Sequence, residues 1–192
     1  MKNTILSLLL IFSVLACKNK VKKTESTTTE TSNAEQEAVV NTRTLSIVLG
    51  SKSESAVTGN AEFTEIDGVV QMTAVIKGLS VGSHAIHIHE KADCSSVDGK
   101  SAGGHWNPTA QPHGKWGAET GYHKGDIGNF TVENTEADTI VEFSTDQWCI
   151  GCGDDRKDIL GKGVIVHQGV DDFTSQPSGA AGSRVSCGGI IE

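Results

Sequence analysis

The chain has little positive charge. Its 16 Lys and Arg stand against 24 Asp and Glu, and the cations form no cluster. An acidic chain without a basic patch argues against a nucleic-acid partner. Apolar runs are also short. Residues 5–16 are an apolar run of twelve, interrupted only by Ser7 and Ser13, whereas a membrane-spanning helix needs roughly 20 such residues. Helical periodicity is missing as well: from residue 44 onward no stretch of it reaches twelve residues, which argues against a helical bundle. Residues 18–43 lack aromatic residues, Pro and Gly. Such a segment cannot bury enough apolar surface to offset its ordering entropy.

These absences divide the chain into three parts. Lys2 followed by the apolar run at residues 5–16 reads as a secretory signal. The run ends Val14-Leu15-Ala16-Cys17, which resembles a bacterial lipoprotein signal with Cys17 lipidated; an ordinary signal peptide with a chance cysteine is the alternative. We therefore expect a signal peptide over 1–16, a lipid-anchored flexible tether over 17–43 and one folded domain over 44–192. The expected location is the periplasmic side of the cell envelope, with the lipid as the sole membrane attachment. Loss of residues 1–16 leaves 15 basic against 24 acidic side chains.

Within the domain the apolar pattern has period two. Leu45, Ile47 and Leu49 alternate with polar or small residues, as do Ala61 with Phe63 and the set Val70, Met72, Ala74 and Ile76. Ile86 and Ile88 face one way on a strand, and His87 and His89 face the other. Further strands are expected at 129–132, 139–143, 163–167 and 184–191. Asp67-Gly68 between two runs is a hairpin signal. Short alternating strands with Gly-rich breaks predict an all-β sandwich or barrel. Two segments, 91–125 and 168–183, carry no strand pattern, and loops of that length inside a compact domain are usually functional.

Four cysteines remain in the domain: Cys94, Cys149, Cys152 and Cys187. An exported protein meets an oxidising compartment, where they can pair in three ways. Cys149-x-x-Cys152 is the local pair, which leaves Cys94 with Cys187.

Six of the seven histidines fall in one spacing pattern that includes an aspartate: His87-x-His89, His105, His113, His123 with Asp126, and His167. Imidazole is the commonest metal ligand. His87 and His89 share a strand face, His167 ends another strand and His105 heads the first long loop. Four imidazoles suit copper. His105, His113, His123 and Asp126 make a three-His, one-Asp set typical of zinc. Two four-coordinate sites need eight ligands and the chain offers seven, so His105 would bridge both ions. A single structural histidine is common, but a set this dense is not explained that way.

The segments around these residues resemble copper/zinc superoxide dismutases of the exported bacterial kind. They are Ile76-Lys77-Gly78-Leu79, Gly82-Ser83-His84-Ala85-Ile86-His87-Ile88-His89-Glu90, Cys94, Ser101-Ala102-Gly103-Gly104-His105-Trp106-Asn107-Pro108, His113-Gly114, His123-Lys124-Gly125-Asp126-Ile127-Gly128-Asn129, Val166-His167, and Gly182-Ser183-Arg184-Val185-Ser186-Cys187-Gly188. The resemblance implies an eight-stranded Greek-key β-barrel or sandwich with two long functional loops. It implies copper on His87, His89, His105 and His167, and zinc on His105, His113, His123 and Asp126. Cys94 and Cys187 match the family disulfide. Asp171 matches the carboxylate that links a copper histidine with a zinc histidine, and Asp172 is its rival. His84 matches a position where a structural hydrogen bond is expected. Arg184 matches the arginine beside the copper, with a surface ion pair as its bland alternative.

The implied reaction is disproportionation of superoxide to dioxygen and hydrogen peroxide. Copper supplies both redox states and zinc, which has no redox chemistry, holds His105 and the loop. His105 carries a proton, and Arg184 attracts the anion with a charge that does not titrate away. The alternatives are a non-catalytic copper-binding or storage module on the same fold and a zinc-stabilised interaction domain. The complete set together with Arg184 favours the enzyme.

Two departures stand out. Trp148-Cys149-Ile150-Gly151-Cys152 has no catalytic counterpart in the family pattern. A local disulfide is the favoured reading there, with copper acquisition or a subunit contact as alternatives. In eukaryotic relatives this region lies near the dimer interface, so a homodimer is one assembly the resemblance allows. The second departure is segment 168–183, which holds Asp171 and Asp172 but no lysine. Steering of the anion would then fall to Arg184, the metals or lysines such as Lys115, Lys124 and Lys162. The expected outcome is a weaker dependence of catalytic rate on ionic strength than in lysine-bearing relatives, measured by superoxide consumption across a salt series. A steep fall would contradict it.

Overall fold

A computed structural model describes residues 41–192; the expected signal peptide, Cys17 and most of the expected tether lie outside the described residues. Eight strands form there: β1 (Thr42–Ser51), β2 (Thr58–Ile66), β3 (Val69–Lys77), β4 (Gly82–His89), β5 (Gly128–Val132), β6 (Thr139–Thr145), β7 (Gly163–His167) and β8 (Arg184–Gly189). Every pairing is antiparallel, in the order β5-β4-β7-β8-β1-β2-β3-β6. The two edges, β5 and β6, follow one another in sequence. The sheet therefore curls into a nearly closed barrel, with consecutive strands β3 and β4 separated in the Greek-key manner.

β1 links the halves. Its residues from Thr42 to Leu49 pair with β2, while Gly50 and Ser51 pair with β8. It starts three residues before the alternating pattern, and Arg43 there is tied down by a hydrogen bond of its Nη1–H to the Ile150 carbonyl (2.7 Å). Between β2 and β3, Asp67 and Gly68 both take positive φ, 50° and 80°, the geometry of a type I′ hairpin.

The period-two pattern sorts side chains as expected. Leu49, Phe63, Met72, Ala74, Ile76, Ile86, Ile88, Val164 and Val166 fill the barrel. Val48, which alternates with Ile47 and Leu49, is 79% exposed. β4 breaks the half-exposed rule, since His84 to His89 are all buried. One face of β4 meets the core, and the face that bears His87 and His89 is covered by the two long connections, 90–127 and 168–183. The first contains the 3₁₀ turn Lys100–Ala102. A third connection, 146–162, also lacks a strand. The Cys94–Cys187 disulfide ties the first connection to β8 across a Cα–Cα distance of 5.8 Å.

Phe63 is fully buried between Leu45 and Met72 on the neighbouring strands. Phe63→Ala is expected to destabilise the metal-free domain by about 3–5 kcal/mol through lost burial and a residual cavity, read from equilibrium urea denaturation.

Candidate metal centre

β4 supplies two histidines, and the chain that follows it returns to supply the next. Ile88 N–H donates to the Gly125 carbonyl (2.9 Å), and Trp106 N–H donates to the Ile88 carbonyl (2.8 Å). His89 and His105 thereby face each other across a short antiparallel bridge. Gly125 is required by this approach, because a Cβ there would collide with the Ile88 carbonyl. β7 runs beside β4 and brings His167 to the same face.

Two groups of four side chains result: His87, His89, His105 and His167, and His105, His113, His123 and Asp126. Within each, the ligand atoms lie within 4.8 Å of one another, and all seven residues are buried. His105 belongs to both. Its ring centroid is 4.0 Å from His87, 4.9 Å from His89, 5.3 Å from His113 and 5.8 Å from His123. Its Nδ1–H donates to Asp126 Oδ1 at 2.8 Å.

Hydrogen bonding orients the other rings. His87 Nε2–H and His113 Nε2–H donate to the two oxygens of Asp171, at 2.9 and 2.8 Å. Asp171 is buried, and its backbone is locked to the Asn129 side chain by reciprocal 2.8 Å bonds. Its neighbour Asp172 points outward and accepts from the N–H groups of Thr174 and Ser175. Gly179 packs so tightly on Asp171 and His113 that a Cβ would strike both. His89 Nδ1–H donates to the Gly103 carbonyl (3.0 Å). His84 stands outside both groups, with Nε2 at 2.9 Å from the Ser80 carbonyl and Nδ1 at 3.3 Å from that of His167.

Among the described residues, six buried side-chain polar atoms lack a hydrogen-bond partner: His87 Nδ1, His89 Nε2, His105 Nε2, His113 Nδ1, His123 Nδ1 and His167 Nε2. All six belong to these groups. His113 Nδ1 and His123 Nδ1 lie 3.0 and 3.2 Å from Asp126 but are not aligned to donate to it. Buried polar atoms are normally paired, so a cluster of orphaned lone pairs marks where cations belong. Four imidazoles suit copper and three imidazoles with a carboxylate suit zinc, so the donor sets fit both metals.

Electrostatics agree with this. Burial, then the neighbouring rings of His105 and His167, hold His89 well below its ordinary pKa; burial and the rings of His87 and His105 do the same to His167. Burial brings His105 down to about 4 despite Asp126. Burial would also lower His113, but Asp126 and Asp171 overcome it and raise it to about 9. Both carboxylates sit well below the usual range, because the histidine and backbone N–H groups outweigh their burial. A cation therefore meets neutral imidazole at His89, His105 and His167 and displaces a proton at His113.

Arg184 lies in the same cleft, about 790 Å³ in volume, with His89, His105 and His167. A register shift in the β7–β8 ladder places Arg184 directly opposite His167. Its Nη1–H donates to the Gly99 carbonyl (2.8 Å), in the loop clipped by Cys94–Cys187. The expected steering lysines lie elsewhere: Lys124 bonds Gln147, Lys162 covers Trp106, and Lys115 does not line the cleft. The lysine at the cleft is Lys100, paired with Asp98 at 3.0 Å. Nothing in its sequence context marks it; only the folding back of the loop brings it there.

The family model for "Copper/zinc superoxide dismutase (SODC)" matches residues 57–190. The chain belongs to the copper/zinc superoxide dismutase family. It is 34% identical over 146 residues to Superoxide dismutase [Cu-Zn] 2 of Aquifex aeolicus, covering 72% of this chain and 81% of that one. It is 36% identical over 143 residues to the extracellular superoxide dismutase [Cu-Zn] of Drosophila melanogaster, covering 70% and 75%. The crystal structure of a SOD-like protein from Bacillus subtilis superposes with a TM-score of 0.67 at 30% identity, over 76% of this chain and 97% of that one. Copper and zinc are the family's cofactors, and the two donor sets fit them.

The buried histidines set a pH dependence for the metal-free domain. An unfolded histidine titrates near ~6.5, whereas His105 titrates at about 4, so between those values the unfolded state binds more protons. Stability then falls as the pH drops from ~6.5 towards 4, with His89 and His167 acting in the same sense. His113 has the opposite sign: its contribution is full below ~6.5 and fades as the pH rises through about 9. The expected outcome is a lower urea midpoint near pH ~4.5 than near ~6.5 for chelator-treated protein; equal midpoints would contradict it.

Proposed function

We propose that the domain disproportionates superoxide with copper held by His87, His89, His105 and His167 and zinc held by His105, His113, His123 and Asp126. The carrying observation is the set of six orphaned ring nitrogens converging on two sites that share His105. When bound, copper supplies a one-electron couple and zinc a fixed charge without redox chemistry. Two superoxide anions and two protons become one dioxygen and one hydrogen peroxide.

The side chains supply the rest. Arg184, held by the Gly99 carbonyl, offers a permanent positive fork to an anion entering the cleft. Glu90 and Asp98 line the same cleft and oppose it, so attraction is local to the guanidinium and Lys100. His105 Nε2 is the atom at which a proton can be held for peroxide. Its Nδ1 is kept on the far side by Asp126. Asp171 fixes the tautomer and orientation of His87 and His113 together, so it positions both sites at once.

For the region before the domain, the proposal is export with a lipid on Cys17 and a tether reaching β1. The Cys94–Cys187 disulfide and the extracellular Drosophila relative support export. Lipidation rests on Val14-Leu15-Ala16-Cys17 alone.

Metal analysis of purified protein, paired with a superoxide-consumption assay, tests this reading. A fully copper-loaded protein without activity would overturn it. Arg184→Ala is expected to lower the second-order rate roughly tenfold, as for other electrostatically guided enzymes, with copper content unchanged; Arg184→Lys recovers part of it. Asp171→Asn is expected to weaken metal binding by roughly 10–100-fold, read by chelator competition.

A further inference from the structure

The connection 146–162 supplies no ligand to the two histidine sets. In it, Cys149 is buried, Cys152 is exposed, and the two form a disulfide. Gly151 and Gly153 adopt left-handed φ of 63° and 75°, which glycine accepts without strain. They let the chain turn back, so that Cys149 N–H donates to the Lys157 carbonyl (2.9 Å) and Ile159 N–H donates to that of Cys149 (3.1 Å). Asp158 arrives beside the pair, its ligand oxygen and the two sulfurs all within 4.8 Å of one another.

Asp158 is held in place. Its Oδ1 accepts from Gly151 N–H (2.8 Å) and Leu160 N–H (3.0 Å), and its Oδ2 accepts from Gly153 N–H (3.0 Å). These bonds leave lone-pair capacity on the carboxylate and fix where it points. The Arg43 guanidinium covers Gly151 and donates to the Ile150 carbonyl.

We propose that the reduced pair is a third metal site, separate from the histidine sets, in which Cys149 Sγ, Cys152 Sγ and an Asp158 oxygen hold one thiophilic d¹⁰ ion, zinc(II) or copper(I). Two thiolates select that class of ion, and three protein ligands leave a coordination position towards solvent. The switch into this form needs a dithiol reductant. One of its thiolates attacks the exposed Cys152 Sγ, the S–S bond breaks, and Cys149 leaves as thiolate. The second reductant thiol then attacks the mixed disulfide, frees Cys152 and closes the reductant's own disulfide. Two electrons pass to the cysteine pair, and ion binding displaces the thiol protons.

The test uses protein with both histidine sets loaded, treated with dithiothreitol, desalted without oxygen and titrated with cadmium ion. The reduced protein is expected to take up one further ion per chain, with a thiolate-to-cadmium absorption band. That band is lost in Cys152→Ser, an exposed position that does not threaten folding, and persists in Cys94→Ser/Cys187→Ser. Asp158→Asn is expected to weaken cadmium binding about tenfold. No further ion, a band retained in Cys152→Ser, a band that requires Cys94 and Cys187, or unchanged affinity in Asp158→Asn would each overturn the proposal.

Discussion

Ile88 gives both its backbone groups to chain outside the barrel: its N–H to Gly125 and its carbonyl to Trp106. In doing so it turns β4 from an ordinary strand with one wet face into one buried on both sides. The contact sets His105 against His89 and carries Asp126, one residue after Gly125, to His105 Nδ1. If that backbone pairing slipped by one residue, His105 would point away from both groups, because side chains alternate along extended chain. Both donor sets therefore depend on a few main-chain hydrogen bonds at one strand.

Bringing six imidazoles together is costly without a cation between them. Desolvation and mutual repulsion hold His89, His105 and His167 neutral, and the orphaned nitrogens lack protein partners among the described residues. The two carboxylates offset part of that cost. Asp126 satisfies backbone N–H groups of Gly114 and His123 as well as His105, and Asp171 joins rings from both groups.

Loops this long need external restraint, since they have little core of their own. The first is held by Cys94–Cys187, by β4 and by Arg184 on Gly99. The second is held by Asn129 on Asp171 and by Gln176, which bonds both backbone groups of His113. The third connection reaches the metal loop as well: the buried Trp148 donates its Nε1–H to the Lys124 carbonyl (2.8 Å), between His123 and Asp126. The Cys149–Cys152 turn is therefore continuous with the chain that carries two members of the His105, His113, His123 and Asp126 group.

By itself the sequence determined the eight strands, the Asp67-Gly68 hairpin and the identity of the seven grouped residues. Strand alternation has a local physical origin in the backbone, and histidine is rare enough that six of them in a pattern with one aspartate need a common cause. Only the tertiary structure decided the rest. It chose Asp171 over Asp172, which adjacent positions in a loop cannot distinguish, because the choice depends on which carboxylate Asn129 anchors inward. It placed Arg184 opposite His167 through a register shift that no residue in β7 or β8 announces. It put Lys100 at the cleft instead of Lys115, Lys124 or Lys162, because long loops are positioned by distant hydrogen bonds and a disulfide and not by their own periodicity. It also set Asp158 beside Cys149 and Cys152, since two left-handed glycines reverse a chain whose sequence shows only the pair.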